Sequence, residues 1–190
     1  MNTEVGKWME EDGVKYLREI GVKKGQTLLD FGCGKGNYAI PASKVVGKEG
    51  RIYALDKDRD ELEKLKKLMQ KDKIKNIEVI NKDTTISLEN ESVDIVLCYD
   101  VIHYQDKEKR TAVYNKIHMV LKEEGIFSVY PKHNKEDNPL RELARINVEG
   151  VVEEIEKSGF TLEHKLLKTL LHDEYYNEGY VLNFRKQKEV

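Results

Sequence analysis

The segment LLDFGCGKG at residues 28–36 restricts the fold of this chain more than any other feature. The apolar run Thr27–Phe31 has the length and composition of a buried strand. Glycine then occupies alternate positions of the following loop, and the missing Cβ atoms let the backbone turn sharply and approach a ligand. These residues are Gly32, Gly34 and Gly36. A helix predicted from about Asn37 would point free backbone N–H groups at that ligand. The unit therefore predicts a nucleotide-type ligand site.

Two carboxylates frame this glycine loop. Asp30 lies two residues before the first glycine, and Asp56 ends the next predicted strand, Arg51–Asp56. A carboxylate at the second position can accept hydrogen bonds from ribose hydroxyls. Asp30 would repel a pyrophosphate, whereas it suits a ligand that carries an ammonium group. A dinucleotide fingerprint also requires glycine at the sixth position of the turn, where this chain has Asn37. The pattern therefore favours a ligand other than NAD.

Composition limits the classes of protein to which the chain can belong. Its 190 residues are enough for one domain with its own core. The 33 basic and 35 acidic residues give a net charge of −2 without a basic block, which does not favour a nucleic-acid partner. The sequence shows neither an apolar leader nor a long apolar run, so neither secretion nor a membrane partner is predicted. Cys33 and Cys98 form no credible disulfide framework and suit a reducing, cytoplasmic location.

Strand-like and helix-like segments alternate along the chain, which is typical of a parallel sheet flanked by helices. The further predicted strands are Ile77–Asn81, Val93–Tyr99 and Gly125–Val129. The predicted helices are an N-terminal one with Val14, Leu17 and Ile20 on one face, Asp58–Lys71, Lys107–Leu121, and one over residues 148–155 that ends at Gly159. The last two strand-like runs, Thr161–Thr169 and Gly179–Arg185, are joined by a short polar connection, which permits only an antiparallel pair.

The loop D-F-G-C-G-K-G, taken with Asp30 and Asp56, resembles motif I of the class I S-adenosylmethionine-dependent methyltransferases. The parallel sheet finished by an antiparallel strand extends the resemblance from about Gly25 to Phe184. It implies an α/β fold with a doubly wound, seven-stranded, mostly parallel sheet in a three-layer α/β/α arrangement. It also implies one methyltransferase domain over residues 1–190, with residues 1–24 as a helical extension and residues 25–185 as the Rossmann-like core. The implied cofactor is S-adenosyl-L-methionine.

The resemblance assigns cofactor contacts residue by residue. The glycine loop would approach the methionine part, Asp30 would hold its amino group, and Asp56 would bind the ribose hydroxyls; the alternative for Asp56 is a helix N-cap. Asp83 would bind the adenine amino group, unless it is only a turn residue. The implied cofactor-binding set is Asp30, Gly32, Cys33, Gly34, Gly36, Asp56, Lys57, Asp83, Thr84 (through its backbone N–H) and Tyr99. Both cysteines can equally be packing residues.

The segment after the fourth strand, C-Y-D-V-I-H-Y-Q-D, narrows the branch of the family. It lacks the Pro-Pro motif of enzymes that methylate adenine or glutamine amide nitrogens, and the Pro-Cys pair of cytosine C5 enzymes. What remains is similar to the branch that acts on small molecules. The resemblance thus implies direct in-line methyl transfer to a small-molecule acceptor. The acceptor and its reacting atom are not predicted.

Residues that follow the carboxyl ends of the strands are the candidates for the acceptor side. His103 and Tyr99 are the candidate catalytic residues. The candidate substrate-side residues are Tyr16, Tyr104, Tyr130, His133, His172 and Tyr176. Each histidine can instead be an ordinary surface or capping residue. Three converging histidines could form a metal site, but no close H-x-H or H-x₃-H pair supports one, and magnesium at Asp100 is equally unsupported; no metal is predicted.

The sequence offers few residues for a substrate cap. Such enzymes usually build a substrate cap before motif I and before strand six, but this chain has little sequence before motif I and no long insertion before strand six. Trp8 and Tyr16 are the aromatic cap residues that the N-terminal segment offers. A homodimer in which a partner chain completes the pocket is therefore one expectation.

Two other functions remain open from the sequence. The first is a non-catalytic S-adenosylmethionine-binding or regulatory subunit. An NAD-dependent oxidoreductase is disfavoured by Asn37.

Overall fold

The computed structural model describes residues 3–83, 85–134 and 146–187. Seven strands form one sheet in the order β3-β2-β1-β4-β5-β7-β6, with helices on both sides. The strands are β1 Thr27–Phe31, β2 Arg51–Asp56, β3 Ile77–Asn81, β4 Val93–Tyr99, β5 Leu121–Tyr130, β6 Phe160–His172 and β7 Tyr175–Lys186. The pairs β1–β2, β2–β3 and β4–β5 are parallel, whereas β5–β7 is antiparallel. The predicted doubly wound sheet with an antiparallel strand near the C-terminus is confirmed.

Six α-helices are present in the described part of the chain. They are α1 Thr3–Lys7, α2 Gly13–Glu19, α3 Ala39–Val46, α4 Arg59–Lys71, α5 Lys107–Val120 and α6 Val148–Glu156. A π-helical segment, Trp8–Asp12, joins α1 to α2, and a 3₁₀ turn covers Ile102–Tyr104. Helix α3 begins two residues later than expected from Asn37, with Tyr38 as its N-cap residue. None of the helices described here is long and apolar enough to cross a bilayer.

The chain divides into two compact units. The first contains Met1–Thr85 and Leu170–Asn177, and the second contains Ile86–Thr169 and Glu178–Val190. In the first unit, Leu62 and Leu65 of α4 are buried while charged residues cover its outer face. The Asp58 carboxylate caps this helix by accepting hydrogen bonds from the backbone N–H groups of Asp60 (2.9 Å) and Glu61 (3.2 Å).

The second unit has an aromatic core. Tyr114, Phe127, Phe160 and Phe184 are fully buried there. Helices α5 and α6 are joined by a bidentate pair, in which the Arg110 guanidinium donates to both carboxylate oxygens of Glu154 at 2.9 and 2.8 Å. Side chains of both residues are mostly buried, and such planar pairs fix geometry better than exposed ion pairs do. The pair thereby fixes α5 against α6.

Candidate active site

The glycine loop between β1 and α3 has a left-handed backbone throughout its glycines. The φ angles of Gly32, Gly34 and Gly36 are 80°, 50° and 90°. A Cβ added to Gly34 would meet no atom within 4 Å, whereas one added to Gly36 would lie 2.5 Å from Cδ1 of Leu65. The glycine at 36 is therefore required by the packing of α4. The glycine at 34 instead leaves open space beside the backbone, as a loop that contacts a ligand requires.

Asp56 ties this loop to the end of β2. Its Oδ2 accepts a hydrogen bond from the Gly34 N–H at 2.7 Å, and its Oδ1 accepts one from the Asp58 N–H at 2.9 Å. Asp58, not Asp56, is the N-cap of α4. Each carboxylate oxygen has a second lone pair, and Asp56 is only half-buried, so the carboxylate can still accept hydrogen bonds from a ligand hydroxyl.

Asp30 is an unusual buried acid next to the loop. The residue is 2% exposed, and its Oδ2 is buried without a hydrogen-bond partner among the described residues. Burial, reinforced by the negative charge of Asp56, raises the pKa of Asp30 to about 7, opposed by a hydrogen bond from the Ala39 backbone. An unpaired oxygen in such a position is costly unless a ligand satisfies it. Because a second acid lies nearby, a cationic ligand group fits this oxygen.

The remaining predicted cofactor residues of the first unit have less distinctive surroundings. Burial raises the pKa of the Cys33 thiol, and Asp30 and Asp56 add to the effect; its Sγ lies 3.6 Å from the Gly34 carbonyl, so this cysteine packs in its protonated form. Lys57 and Asp83 are exposed. Thr84 lies outside the described residues. The cofactor roles of these four residues remain predictions.

Asn81, at the end of β3, was missed from the sequence. Its Nδ2 donates to the backbone carbonyls of Asp56 (3.1 Å) and Lys57 (3.0 Å), and its Oδ1 accepts from Nε of Arg59 at 3.0 Å. The residue therefore holds the turn that carries the Asp56 carboxylate. A polar residue at the carboxyl end of a strand is the signal that could have identified it.

Replacement of Asp56 by alanine is expected to weaken binding of S-adenosylhomocysteine at least tenfold. The change removes a charged hydrogen-bond acceptor, worth roughly 1.5–3 kcal/mol for each bond made to it, and frees the Gly34 N–H. Isothermal titration calorimetry measures the affinity, and circular dichroism checks the fold. Asp58→Ala is the matched control, because it removes the helix cap and should lower stability while leaving affinity intact. An unchanged affinity in Asp56→Ala would exclude this carboxylate from the ligand site.

Aromatic residues predicted for the substrate side surround Trp8 in the first unit. The Trp8 ring centroid lies 5.9 Å from that of Tyr16, 5.2 Å from that of Tyr38 and 6.1 Å from that of Tyr176. Its Nε1 donates to the Asn37 carbonyl at 2.8 Å, next to the glycine loop. The N-terminal aromatic residues are therefore fastened to the loop, and Tyr16 is buried by this packing.

Two more predicted residues belong to the tip of the β6–β7 hairpin, which is part of the first unit. The Tyr176 hydroxyl donates to Oδ2 of Asp12 at 2.7 Å, and burial together with this bond raises the pKa of Tyr176. Nδ1 of His172 lies 3.7 Å from Oδ2 of Asp173. Their proposed contact with a substrate remains a prediction.

In the second unit, Tyr99 ends β4 and begins a buried hydrogen-bond chain. Its hydroxyl lies 2.7 Å from Oγ of Ser128, and Ser128 donates to Oδ1 of Asn183 at 2.6 Å. Since the serine proton is used toward Asn183, the Tyr99 hydroxyl is the donor in the first bond. These hydrogen bonds fix the orientation of the Tyr99 ring, whose centroid lies 6.0 Å from that of the Tyr130 ring. Ser128 and Asn183 were missed, although polar residues inside otherwise apolar strands are a recognisable signal.

Asp100 brings two predicted histidines together beyond the ends of β4 and β5. Its Oδ1 lies 3.4 Å from Nδ1 of His103 and 3.4 Å from Nε2 of His133, and the two buried imidazole rings are 4.5 Å apart. Asp100 and His133 have φ angles of 59° and 60°. Such angles are uncommon outside glycine and tend to occur at functional sites. The side chain of Tyr104 lies outside the described part of the structure.

Comparison with known proteins identifies the family. The family model described as "Methyltransferase domain" matches residues 22–178. The probable cobalt-precorrin-6B C(15)-methyltransferase (decarboxylating) of Sulfurisphaera tokodaii is 32% identical over 81 residues, which are 43% of this chain and 42% of that protein. The demethylmenaquinone methyltransferase of Geobacillus kaustophilus is 40% identical over 50 residues, 26% of this chain and 20% of that protein. The chain thus spans less than half the length of these curated relatives.

Solved structures show the same fold. A SAM-dependent methyltransferase from Aquifex aeolicus has a TM-score of 0.74 and 23% identity, with 94% of this chain and 90% of that chain covered. The magnesium protoporphyrin IX methyltransferase of Synechocystis with bound SAM has a TM-score of 0.67 and 18% identity, covering 92% and 76%. The family model covers most of the sequence. The chain belongs to the class I S-adenosylmethionine-dependent methyltransferases.

Proposed function

We propose that this chain transfers a methyl group from S-adenosylmethionine to a small molecule by in-line displacement. The observation that carries the proposal is the buried Asp30 carboxyl, whose Oδ2 has no hydrogen-bond partner among the described residues, beside a glycine loop that is open at Gly34. Asp30 would hold the amino group of the cofactor, Asp56 its ribose hydroxyls, and the open space at Gly34 would admit its methionine part. The bound sulfonium supplies an already activated methyl group. Accordingly, the protein has chiefly to orient the donor and exclude water.

The second unit supplies the groups proposed for the acceptor side. Orientation of donor and acceptor can lower the barrier by roughly 7–11 kcal/mol. Asp100 Oδ1, 3.4 Å from Nδ1 of His103, would stabilise the positive charge that forms when Nε2 of that imidazole accepts a proton. A positioned base contributes roughly 10²–10⁴-fold when the nucleophile carries a proton. The hydrogen bond to Ser128 would hold the Tyr99 ring in one orientation.

The acceptor class is inferred from the relatives and from charge. By their names, the curated relatives act on a cobalt-precorrin and a demethylmenaquinone. We infer a small organic acceptor rather than a nucleic acid, because the net charge is −2.

Ligand-induced stabilisation followed by a transfer assay tests the proposal. S-adenosylmethionine and S-adenosylhomocysteine are expected to raise the melting temperature, whereas NAD is not; a ligand at a hundred times its Kd adds roughly 2.7 kcal/mol of stability. Transfer of a radiolabelled methyl group to a panel of phenols, thiols, amines and quinols then identifies the acceptor. No stabilisation by S-adenosylhomocysteine would overturn the proposal. Stabilisation without transfer to any acceptor in the panel would favour the regulatory-subunit alternative.

His103→Ala is expected to lower turnover roughly a hundredfold or more while leaving S-adenosylhomocysteine affinity unchanged. The expectation holds for an acceptor that must lose a proton. For an enolised carbon nucleophile, the substitution should lower turnover much less. Steady-state kinetics and calorimetry measure the two quantities. His164→Ala, at an exposed position of β6, is the matched control and should behave as the parent protein. Lost cofactor affinity with full turnover at saturation would contradict this role for His103.

A further inference from the structure

The first unit contains an apolar cavity beside the glycine loop, reached by Lys35 and Asn37. It has a volume of about 250 Å³ and lies between the N-terminal segment, the start of α3 and the end of α4. Its apolar lining includes Val5, Met9, Ile40 and Leu68. The charged residues at its edge are mostly paired, since Lys35 lies 2.8 Å from Glu174 and Glu10 lies 2.7 Å from Lys44. Such a lining suits a hydrocarbon group.

A second cavity of about 630 Å³ is strongly basic. Five of its lining residues are cationic and one, Asp72, is acidic. The cationic residues are Lys44, Lys48, Arg51, Lys73 and Lys75. The wall is held by Asn76, whose Nδ2 donates to the backbone carbonyls of Ser43 (3.0 Å) and Gly47 (2.9 Å). Lys44 is paired with Glu10 at 2.7 Å, so four cations face one acid in this lining. This excess of positive charge is unexpected in a chain whose net charge is −2, and it suits phosphate or carboxylate groups.

The two cavities adjoin each other. Asp72, at the end of α4, lines both of them. The Lys44–Glu10 ion pair joins them as well, because Lys44 lines the basic cavity and Glu10 lines the apolar one. Asn37 also lines the apolar cavity, and its buried Oδ1 accepts no hydrogen bond from the described residues. The apolar and the basic lining thus meet at Asp72 and at the Lys44–Glu10 ion pair.

We propose that these two cavities form a single binding site for an amphipathic anion, with an acyl or prenyl chain in the apolar part and a phosphate or carboxylate head in the basic part. Neither the glycine loop residues Gly32 and Gly34 nor Asp30 and Asp56 line either cavity. The site therefore does not depend on the proposed methyl transfer. Lys35 lies within the glycine loop and Asn37 directly follows it, so occupancy is expected to alter cofactor affinity.

Alkyl phosphates below their micelle concentration test this proposal by calorimetry on the full chain. Octyl phosphate is expected to bind more tightly than hexyl phosphate, by about fourfold for each methylene. Octanol and inorganic phosphate should each bind far more weakly, because each occupies one cavity only. Affinity for octyl phosphate should fall as salt rises. No saturable binding of octyl phosphate, or equal affinity for hexyl and octyl phosphate, would overturn the proposal.

Paired variants assign the binding to the two cavities. Lys75→Glu is expected to weaken octyl phosphate at least tenfold, whereas Lys67→Glu, the same change on the exposed face of α4, should not. Leu68→Gln should weaken it as well, while Met69→Gln, at a half-buried position outside the cavity lining, should not. Equal losses in Lys75→Glu and Lys67→Glu would mean a non-specific charge effect and overturn the proposal.

Sedimentation with vesicles distinguishes the source of the anion. Retention on vesicles of phosphatidylglycerol that is lost in Lys75→Glu but not in Lys67→Glu would identify a lipid head group. Binding of octyl phosphate without retention on vesicles would identify a free amphipathic anion. Both results support the site.

Discussion

Replacement of Gly34 by valine is expected to abolish measurable binding of S-adenosylhomocysteine, a larger loss than that in Asp56→Ala. Gly34 has a φ angle of 50°, and an added Cβ would point into open space beside the loop. That space is where the proposed cofactor approaches the backbone. A branched side chain would fill it and would also disfavour the left-handed backbone. Calorimetry with the purified variant measures the effect.

Gly25→Val separates the two causes of that loss. Gly25 has a φ of 82°, and a Cβ added there would also meet no atom within 4 Å. The variant therefore carries a comparable backbone conflict at a position before β1, outside the proposed site. It should lose stability yet retain cofactor affinity. Normal binding by Gly34→Val would show that the loop does not touch the cofactor, and equal loss of binding in both variants would trace the effect to folding.

The sequence predicted the strands of the parallel part better than the antiparallel hairpin. Strands β1, β2, β3 and β4 have the predicted bounds, because short apolar runs between turn residues specify them locally. The prediction for β5 was too short, since this strand covers Leu121–Tyr130 rather than Gly125–Val129. The strand β6 reaches His172 rather than Thr169, and β7 begins at Tyr175 rather than Gly179. Many residues of β6 are charged and exposed, so hydrophobic periodicity does not mark where this strand ends.

Long-range contacts explain why the hairpin extends further. At its tip, the Tyr38 hydroxyl donates to the Leu171 carbonyl at 2.8 Å and the Asn37 side chain donates to the Asp173 carbonyl at 2.9 Å. These donors come from the start of α3, more than a hundred residues earlier in the chain. Tertiary contacts of this kind override local propensity. No local pattern could have predicted them.

The same distinction applies to the candidate site. Asp30 and Asp56 were predicted because motif I combines them with the glycines over a short stretch of sequence. The hydrogen-bond chain from Tyr99 through Ser128 to Asn183 joins three separate strands. The two contacts of Asp100 depend on left-handed backbone angles at Asp100 and His133, which composition does not reveal. Residues that position others therefore required the three-dimensional structure.

Cofactor affinity is expected to depend on pH through Asp30. The pKa of about 7 in the free protein means that this carboxyl is largely protonated at pH 6. An ammonium group of the ligand favours the charged carboxylate, so binding below pH 7 releases a proton. Affinity for S-adenosylhomocysteine should fall towards tenfold per pH unit below that value, or about 25-fold between pH 7.5 and 5.5. Above pH 7 this dependence should disappear. Calorimetry in buffers of different ionisation enthalpy counts the released proton.

Asp30→Asn tests both the affinity and the stability expected from this acid. The variant should bind S-adenosylhomocysteine at least tenfold more weakly at pH 8, because the charged partner is lost, and its affinity should no longer change between pH 5.5 and 7.5. Since the pKa of Asp30 in the folded protein lies above the ordinary aspartate value of 3.8, the stability contributed by protonated Asp30 is complete below pH 3.8. It is lost as pH rises through 7. Urea unfolding of the unliganded proteins should therefore show that the free energy of unfolding of Asp30→Asn rises relative to that of the parent between pH 5 and pH 8. A constant difference between them across that range would mean that Asp30 is ionised in the free protein and that its Oδ2 is already satisfied.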